Sequence, residues 1–381
     1  MNSALSAALK RLLTETKIVG ISHSKLIKSV RDDLPDTVKV SPAEALDGPQ
    51  LVVPLEALRG LAVASAATMQ ADLLQVQANW AVARYVGSFD HRDGRLVLSR
   101  PGELVAGNQR RVLSEELGIA FALEAAQTWM GHRGDPSSPV WIADVDQLSQ
   151  GIVMWAEQGN SRPDYIVATR DLHSPGVLVA LVESKGTRTP SYASKSLTNG
   201  CRQIAPAVEL TDLPGLVVST LVTGATITSR AAQVGADRPG LRPPDDELVL
   251  AVQAASFESL AEAAGNGPAA DRWRRERSRP TDEMPTRMRV DRERTRDTLP
   301  DEGPVVGLAQ RYGFPGGQLE VFLGVTSEID SVLLQPANDL IATQQRTRSQ
   351  RTGRRAPGTS VEAQGAAVGP DGSVAWVRTR S

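Results

Sequence analysis

The chain has 381 residues, with 42 basic side chains (Lys and Arg) against 44 acidic ones and a formal net charge of −2. That length accommodates two domains or one elaborated domain with tails, and the near-neutral total excludes a wholly basic, histone-like binder while leaving room for a local basic track. The single cysteine, Cys201, excludes a disulfide framework or a Cys-based zinc cluster, and without an apolar run of membrane-spanning length or a signal-peptide core the expectation is a cytoplasmic protein with no membrane partner.

In chain order, residues 1–106 read as an N-terminal α/β region of unknown role. Its first expected helix covers 5–13, and an apolar run follows Gly48-Pro49. A long Ala- and Leu-rich helical pattern runs over 57–84. A strand over 95–98 is entered through the turn Arg92-Asp93-Gly94. His23 and His91 read as surface residues.

Residues 107–262 form the expected core. A helix over 114–130 is followed by strand-like stretches at 139–145, 165–169, 177–182, 216–222 and 247–252, with a helical pattern over 194–209 that Gly200 and Pro206 weaken. This alternation predicts an α/β fold with a central mixed sheet flanked by helices. Residues 263–300 read as an Arg-rich loop or linker, in which Trp273 is a candidate for stacking on nucleic acid. Residues 301–345 read as a C-terminal ordered extension. Residues 346–381 read as a basic, flexible tail suited to non-specific phosphate contact.

The chemistry concentrates in Arg162-Pro163-Asp164-Tyr165 and in Glu183-Ser184-Lys185-Gly186, joined by turn residues ending in Ser174-Pro175-Gly176. If the flanking apolar runs pair as a hairpin, residues whose numbers sum to 347 oppose each other, and Asp164 lies across from Glu183. Lys185, two residues on, projects from the same face as Glu183. Two carboxylates this close resist ionisation unless a cation neutralises them. Oxygen ligands of this kind suit Mg²⁺, with Mn²⁺ as a substitute, and an adjacent ammonium can orient a water or offset phosphate charge.

Lysine usage sharpens the signal. Only 7 of the 42 basic residues are Lys, and from position 41 onward there are two, Lys185 and Lys195. A chain that writes nearly every other late cation as Arg places Lys at the third position of Glu-x-Lys, where water activation favours an ammonium over a guanidinium.

The arrangement resembles the PD-(D/E)xK nuclease superfamily, with Pro163-Asp164 matching PD and Glu183-Ser184-Lys185 matching ExK. The resemblance implies a restriction-endonuclease-like fold and Mg²⁺-dependent hydrolysis of DNA phosphodiesters, with RNA an alternative substrate. It implies Asp164, Glu183 and Glu115 as metal ligands, Lys185 beside the attacking water, and Gln203 in support. Glu115 is preferred over its neighbour Glu116. It also implies dimerisation to cut both strands and a place in bacterial restriction or anti-phage defence with protein partners. A catalytically silent nuclease-like module that recruits nucleic acid or protein is the alternative function.

Overall fold

The computed structural model describes residues 3–66, 71–148, 162–235, 246–277, 293–300, 303–314, 317–352 and 364–380. In chain order the elements are α1 (Ser3–Leu13), β1 (Thr16–Ile21), α2 (Ser24–Asp32), β2 (Val40–Ser41), β3 (Gly48–Val52), α3 (Pro54–Ala66), α4 (Ala71–Tyr85), β4 (Phe89–Arg92) and β5 (Arg95–Leu98). Next come α5 (Arg100–Glu103), α6 (Gly107–Gly131), β6 (Trp141–Asp144), β7 (Tyr165–Arg170), β8 (Val177–Thr187), α7 (Ala193–Thr211), β9 (Gly215–Val222) and β10 (Ile227–Val234). The remainder is α8 (Asp246–Ala263), α9 (Gly267–Arg277), β11 (Thr295–Leu299), β12 (Gly303–Phe314), β13 (Gly317–Thr326), α10 (Ser327–Val332), α11 (Ala337–Thr352), β14 (Gln364–Val368) and β15 (Ser373–Arg380).

The central sheet is mixed and runs β4-β5-β1-β10-β9-β8-β7-β6, with β2 added to β10 and β3 to β1. β6, β7 and β8 form consecutive antiparallel pairs. β8 and β9 are parallel, so the chain must cross over between them, and α7 is that crossover. β9 is buried along its whole length, which explains its largely apolar and β-branched sequence.

Alternation along β8 separates the two faces of the sheet. Val179 and Leu181 join the apolar cluster that includes Leu197, Cys201 and Ile204 of α7. Ala180 and Val182 join the cluster that includes Ala122, Leu123 and Ala126 of α6. Period-two geometry then puts Glu183 and Lys185 on the α7 face. A second, antiparallel sheet has the order β11-β12-β13-β15-β14. Val321, Leu323, Ala375 and Val377 from this sheet belong to the same apolar cluster as Leu55 and Leu58 of α3.

The α/β class and the flanked mixed sheet are as expected, but four boundaries differ. Residues 1–106 are no separate unit, because β1 pairs in parallel with β10 and extends the central sheet. Residues 247–252 lie in helix α8 instead of a strand. The Arg-rich stretch opens as helix α9, where Trp273 is buried against Phe257 with ring centroids 4.9 Å apart. Its Nε1 donates to Leu333 O at 2.8 Å, so it offers no stacking face; residues 278–292 of that stretch lie outside the described residues. Residues 346–352 complete α11, and the expected flexible tail contains β14 and β15, whose Trp376 stacks on Phe322 at 5.1 Å. Alternation in Val374, Ala375, Trp376 and Val377 buries both faces of β15, which outweighs the Gly- and Ala-rich composition around it. Residues 353–363 lie outside the described residues.

Candidate active site

The β7–β8 hairpin has the register its turn demands. Its pairs run from Tyr165–Val182 to Arg170–Val177, all summing to 347. Beyond Tyr165 the ladder stops. Asp164 N–H still donates to Val182 O at 3.1 Å, but Pro163 has no N–H to continue it. The Asp164 carboxylate takes over at this point: Oδ2 accepts from Ser184 N–H at 2.8 Å and from Ser184 Oγ at 2.7 Å. The middle residue of Glu183-Ser184-Lys185 therefore fixes the acid on the opposing strand.

Glu183 is fully buried. Its Oε1 accepts from Lys185 Nζ, while its Oε2 is buried and has no protein partner. Burial, and then the charge of Asp164, push the Glu183 carboxyl up to about 8, against the opposing pull of Lys185 and the Asp164 amide. Lys185 also donates to Gln203 Oε1 at 2.8 Å, and Gln203 Nε2 donates to Arg162 O at 3.1 Å. Gly200 lets α7 come this close: a Cβ there would lie 2.5 Å from Val217 Cγ1 and 3.5 Å from Cγ of both Glu183 and Lys185.

The structure thus gathers Asp164, Glu183, Lys185 and Gln203. It does not bring Glu115 to them. α6 lies on the other face of the sheet, and the half-exposed Glu115 pairs with Arg111 at 2.7 Å. Its neighbour Glu116 accepts from Arg84 at 2.8 Å and from Tyr85 OH at 2.5 Å. The cause is the α6–β8 crossing: Gly186 presses on Ser114 O so closely that a Cβ would sit 1.7 Å from it, which fixes the rotation of the helix.

A further acid, Asp144, stands nearby. It ends β6 and pairs with Tyr165, the residue after Asp164. Burial pushes its carboxyl up to about 6, the charges of Asp146 and Asp164 add to the rise, and the Asp146 amide opposes it. The Tyr165 hydroxyl is raised by burial and then by the charges of Asp144, Asp164 and Asp146. Asp146 is itself paired with Arg162 at 2.6 Å. No sequence spacing reveals Asp144, because the long connection from β6 to β7 leaves their register undetermined.

Compared with known proteins, the chain matches no family model, no curated protein and no solved structure. The donor set itself therefore has to decide what the site fits. Among the described residues, no group of three or more His, Cys, Asp or Glu side chains is disposed to hold a metal ion. What the site offers is a carboxylate pair with one buried, unpartnered oxygen, Glu183 Oε2. Such a set fits a hydrated divalent cation of the Mg²⁺ type, which uses one or two carboxylates and keeps several waters.

Other reactive side chains lie elsewhere. His173 is exposed at the hairpin tip, where its amide donates to Asp171 Oδ1. Burial pushes the Cys201 thiol up to about 12, so it is a small apolar core residue and no nucleophile. Lys195 rests over the Tyr192 ring. Among the described residues, no helix is long and apolar enough to cross a membrane.

Proposed function

We propose that the protein is a metal-dependent nuclease that hydrolyses DNA phosphodiester bonds on a restriction-endonuclease-like core of the PD-(D/E)xK kind. The observation that carries this reading is Glu183: a fully buried carboxylate, set beside Asp164, with one oxygen on Lys185 and the other unpartnered. Leaving a buried acceptor unpaired costs on the order of 1–3 kcal/mol. A bound cation accounts for that cost.

Asp164 and Glu183 would hold the cation. When bound, Mg²⁺ stabilises charge on the phosphate and lowers the pKa of a bound water. Ser184 keeps the Asp164 carboxylate in place through two bonds to one oxygen. Lys185 presents an ammonium at the same face, where it orients the attacking water and offsets the charge that develops on phosphate. Gln203 holds Lys185 and ties α7 to the chain entering β7 through Arg162 O. In the reaction, a water oxygen bonds to phosphorus, the P–O bond to the leaving strand breaks, and the leaving oxygen takes a proton.

A second reading, a silent nuclease-like module that binds nucleic acid, is favoured by one observation. Glu115 stands away from the carboxylate pair, so the metal shell has one ligand fewer than the resemblance implies. Incubation with supercoiled plasmid separates the two. The nuclease reading expects nicking or linearisation with Mg²⁺ or Mn²⁺ and none in EDTA. It expects Lys185→Ala and Asp164→Asn each to lower the rate by about 10²–10³-fold. Cleavage that survives EDTA or Lys185→Ala refutes it, and plasmid retention without cleavage in either metal supports the second reading.

A further inference from the structure

We infer that the outward ridge of α7, made by Tyr192, Lys195, Asn199 and Arg202, is the surface that carries the DNA phosphate backbone past the Glu183–Lys185 site, an inference that takes its substrate from the nuclease reading above.

The chain here is one-sided in charge. The 25 residues from Ser184 to Val208 hold four cations, Lys185, Arg188, Lys195 and Arg202, and no acid, in a protein where 44 of 381 residues are acidic. Both lysines found after position 40 fall in this stretch. Positions 192, 195, 199 and 202 recur at three and four, so they share one side of the helix. Tyr192, Lys195 and Arg202 are exposed and Asn199 is half-buried, while Leu197, Cys201 and Ile204 turn the opposite side into the core. Asn199 binds the row together: its Nδ2 donates to the Tyr192 hydroxyl at 3.1 Å, and its Oδ1 accepts from Arg202 Nη1 at 3.2 Å. Lys195 Nζ stands 5.8 Å from the centroid of the Tyr192 ring, within cation–π reach. Arg202 Nη2 donates to the backbone carbonyl of Asp33 at 3.0 Å. Among the described residues neither Lys195 nor Arg202 forms an ion pair with a carboxylate.

Helix stability does not call for this pattern. Lys195 lies in the first turn of α7, which contains no acid, and a positive charge there opposes the helix dipole. A phosphate backbone does call for it. Arg202 spends one N–H on Asn199 and one on Asp33 O, which leaves the rest of its planar fork for phosphate oxygens. The Lys195 ammonium adds a point charge with solvent access.

Direct contacts tie the ridge to the site. Gln203, next to Arg202, accepts from Lys185 Nζ at 2.8 Å. Gly200, next to Asn199, is the point where an added Cβ would lie 3.5 Å from Cγ of both Glu183 and Lys185. Ridge and site are therefore two flanks of the same helical segment, on the same side of the central sheet. Lys195 and Arg202 are about 10 Å apart along the axis at a helical rise near 1.5 Å per residue. Each DNA strand rises about 3.4 Å per nucleotide, so the two cations span about three nucleotides of one strand.

Binding of a fluorescein-labelled duplex of about 20 base pairs in EDTA, followed by anisotropy across a salt series, tests the ridge without cleavage. Each phosphate contact adds about 0.9 to the slope of log K against log salt. The Lys195→Gln/Arg202→Gln double variant is expected to bind more weakly and to lower the slope by about 2. Arg170→Gln, which removes an exposed arginine at the far end of β7, is expected to leave it unchanged. Should the double variant fail to fold, the single Lys195→Gln and Arg202→Gln variants, each lowering the slope by about 1, serve instead. A slope that the ridge variants leave unchanged overturns the ridge, as does a wild-type protein that does not bind the duplex. A reduced slope together with a wild type that cuts no plasmid in Mg²⁺ or Mn²⁺ keeps the ridge and removes the nuclease reading. Metal-dependent cleavage by the wild type together with an unchanged slope in the variants does the opposite.

Discussion

Glu183 couples the site to the stability of the fold. A carboxyl held near 8 in the folded chain, against an ordinary 4.5, binds a proton that the unfolded chain releases at lower pH. Its contribution to stability is full below the ordinary value and is lost as pH rises through about 8. Asp144, raised to about 6, acts in the same direction over a lower window. Without metal, thermal stability should decline between pH 5 and 8.5, and Glu183→Gln should flatten the decline and raise the midpoint at pH 8.5. Adding Mg²⁺ at that pH should stabilise the wild type and leave Glu183→Gln unmoved, because a ligand stabilises only the state that binds it. Scanning calorimetry of both proteins, with EDTA and with Mg²⁺, reads all four conditions; parallel pH profiles would show that Glu183 is no titrating centre. At this scale the site was partly legible in the sequence. Asp164, Glu183 and Lys185 lie on one hairpin, and a short turn sets its register without reference to the rest of the chain. Glu115 and Asp144 depend on the rotation of α6 and the pairing of β6, which tertiary packing decides.

Two glycines bring the helices onto β8. Gly200 admits α7 to the Glu183 face, and Gly186 admits α6 to the other. At Gly186 the obstacle to a larger residue is backbone, Ser114 O at 1.7 Å and Ser114 C at 2.4 Å from an added Cβ, so no side-chain rotation relieves it. Overpacking typically costs about 1–3 kcal/mol where side chains can shift. Gly186→Ala should lie at or above the top of that range. Gly87→Ala, with nothing within 4 Å of the added Cβ, is the matched control and should be nearly neutral. Urea denaturation midpoints compare them, and equal midpoints would mean that α6 can retreat from β8 at no cost. Element types were legible where the pattern was long, as in α6 and α7, and where turn chemistry was explicit, as at Asp93-Gly94, whose φ values of 52° and 72° suit a tight hairpin. The start of α8 misleads because Leu248-Val249-Leu250-Ala251-Val252 is a short apolar run that strand and buried helix share. The Ala-rich continuation and burial of much of the helix circumference settle it as helix.

The two sheets are joined through α3, which the sequence pattern could not show. A run of Gly, Ala and Arg in the last thirty-odd residues has the composition of a tail, yet β15 lies inside the second sheet, between β13 and β14. Arg59 makes the connection. It sits on α3, is 2% exposed, and donates to Ser373 Oγ and to Asp371 Oδ1 at 3.4 Å. Asp371 Oδ1 also accepts from Ser373 N–H at 3.0 Å and from Ser373 Oγ at 2.6 Å, which shapes the turn between β14 and β15. Gly369 leaves the room: a Cβ there would meet Arg59 Nη1 at 2.3 Å. Removing one partner of a buried ion pair costs about 3–5 kcal/mol because the other charge stays buried alone. Asp371 is less buried than Arg59, so Asp371→Asn should cost more than Arg59→Met, which leaves only a part-exposed carboxylate behind. Near-ultraviolet circular dichroism, which senses the Phe322–Trp376 stack, and chemical denaturation followed by far-ultraviolet dichroism should lose signal together in the wild type, since one apolar cluster spans both sheets. In Asp371→Asn the aromatic signal should be lost first. Coincident transitions in the variant would show that the shared apolar core, and not Arg59, couples the sheets.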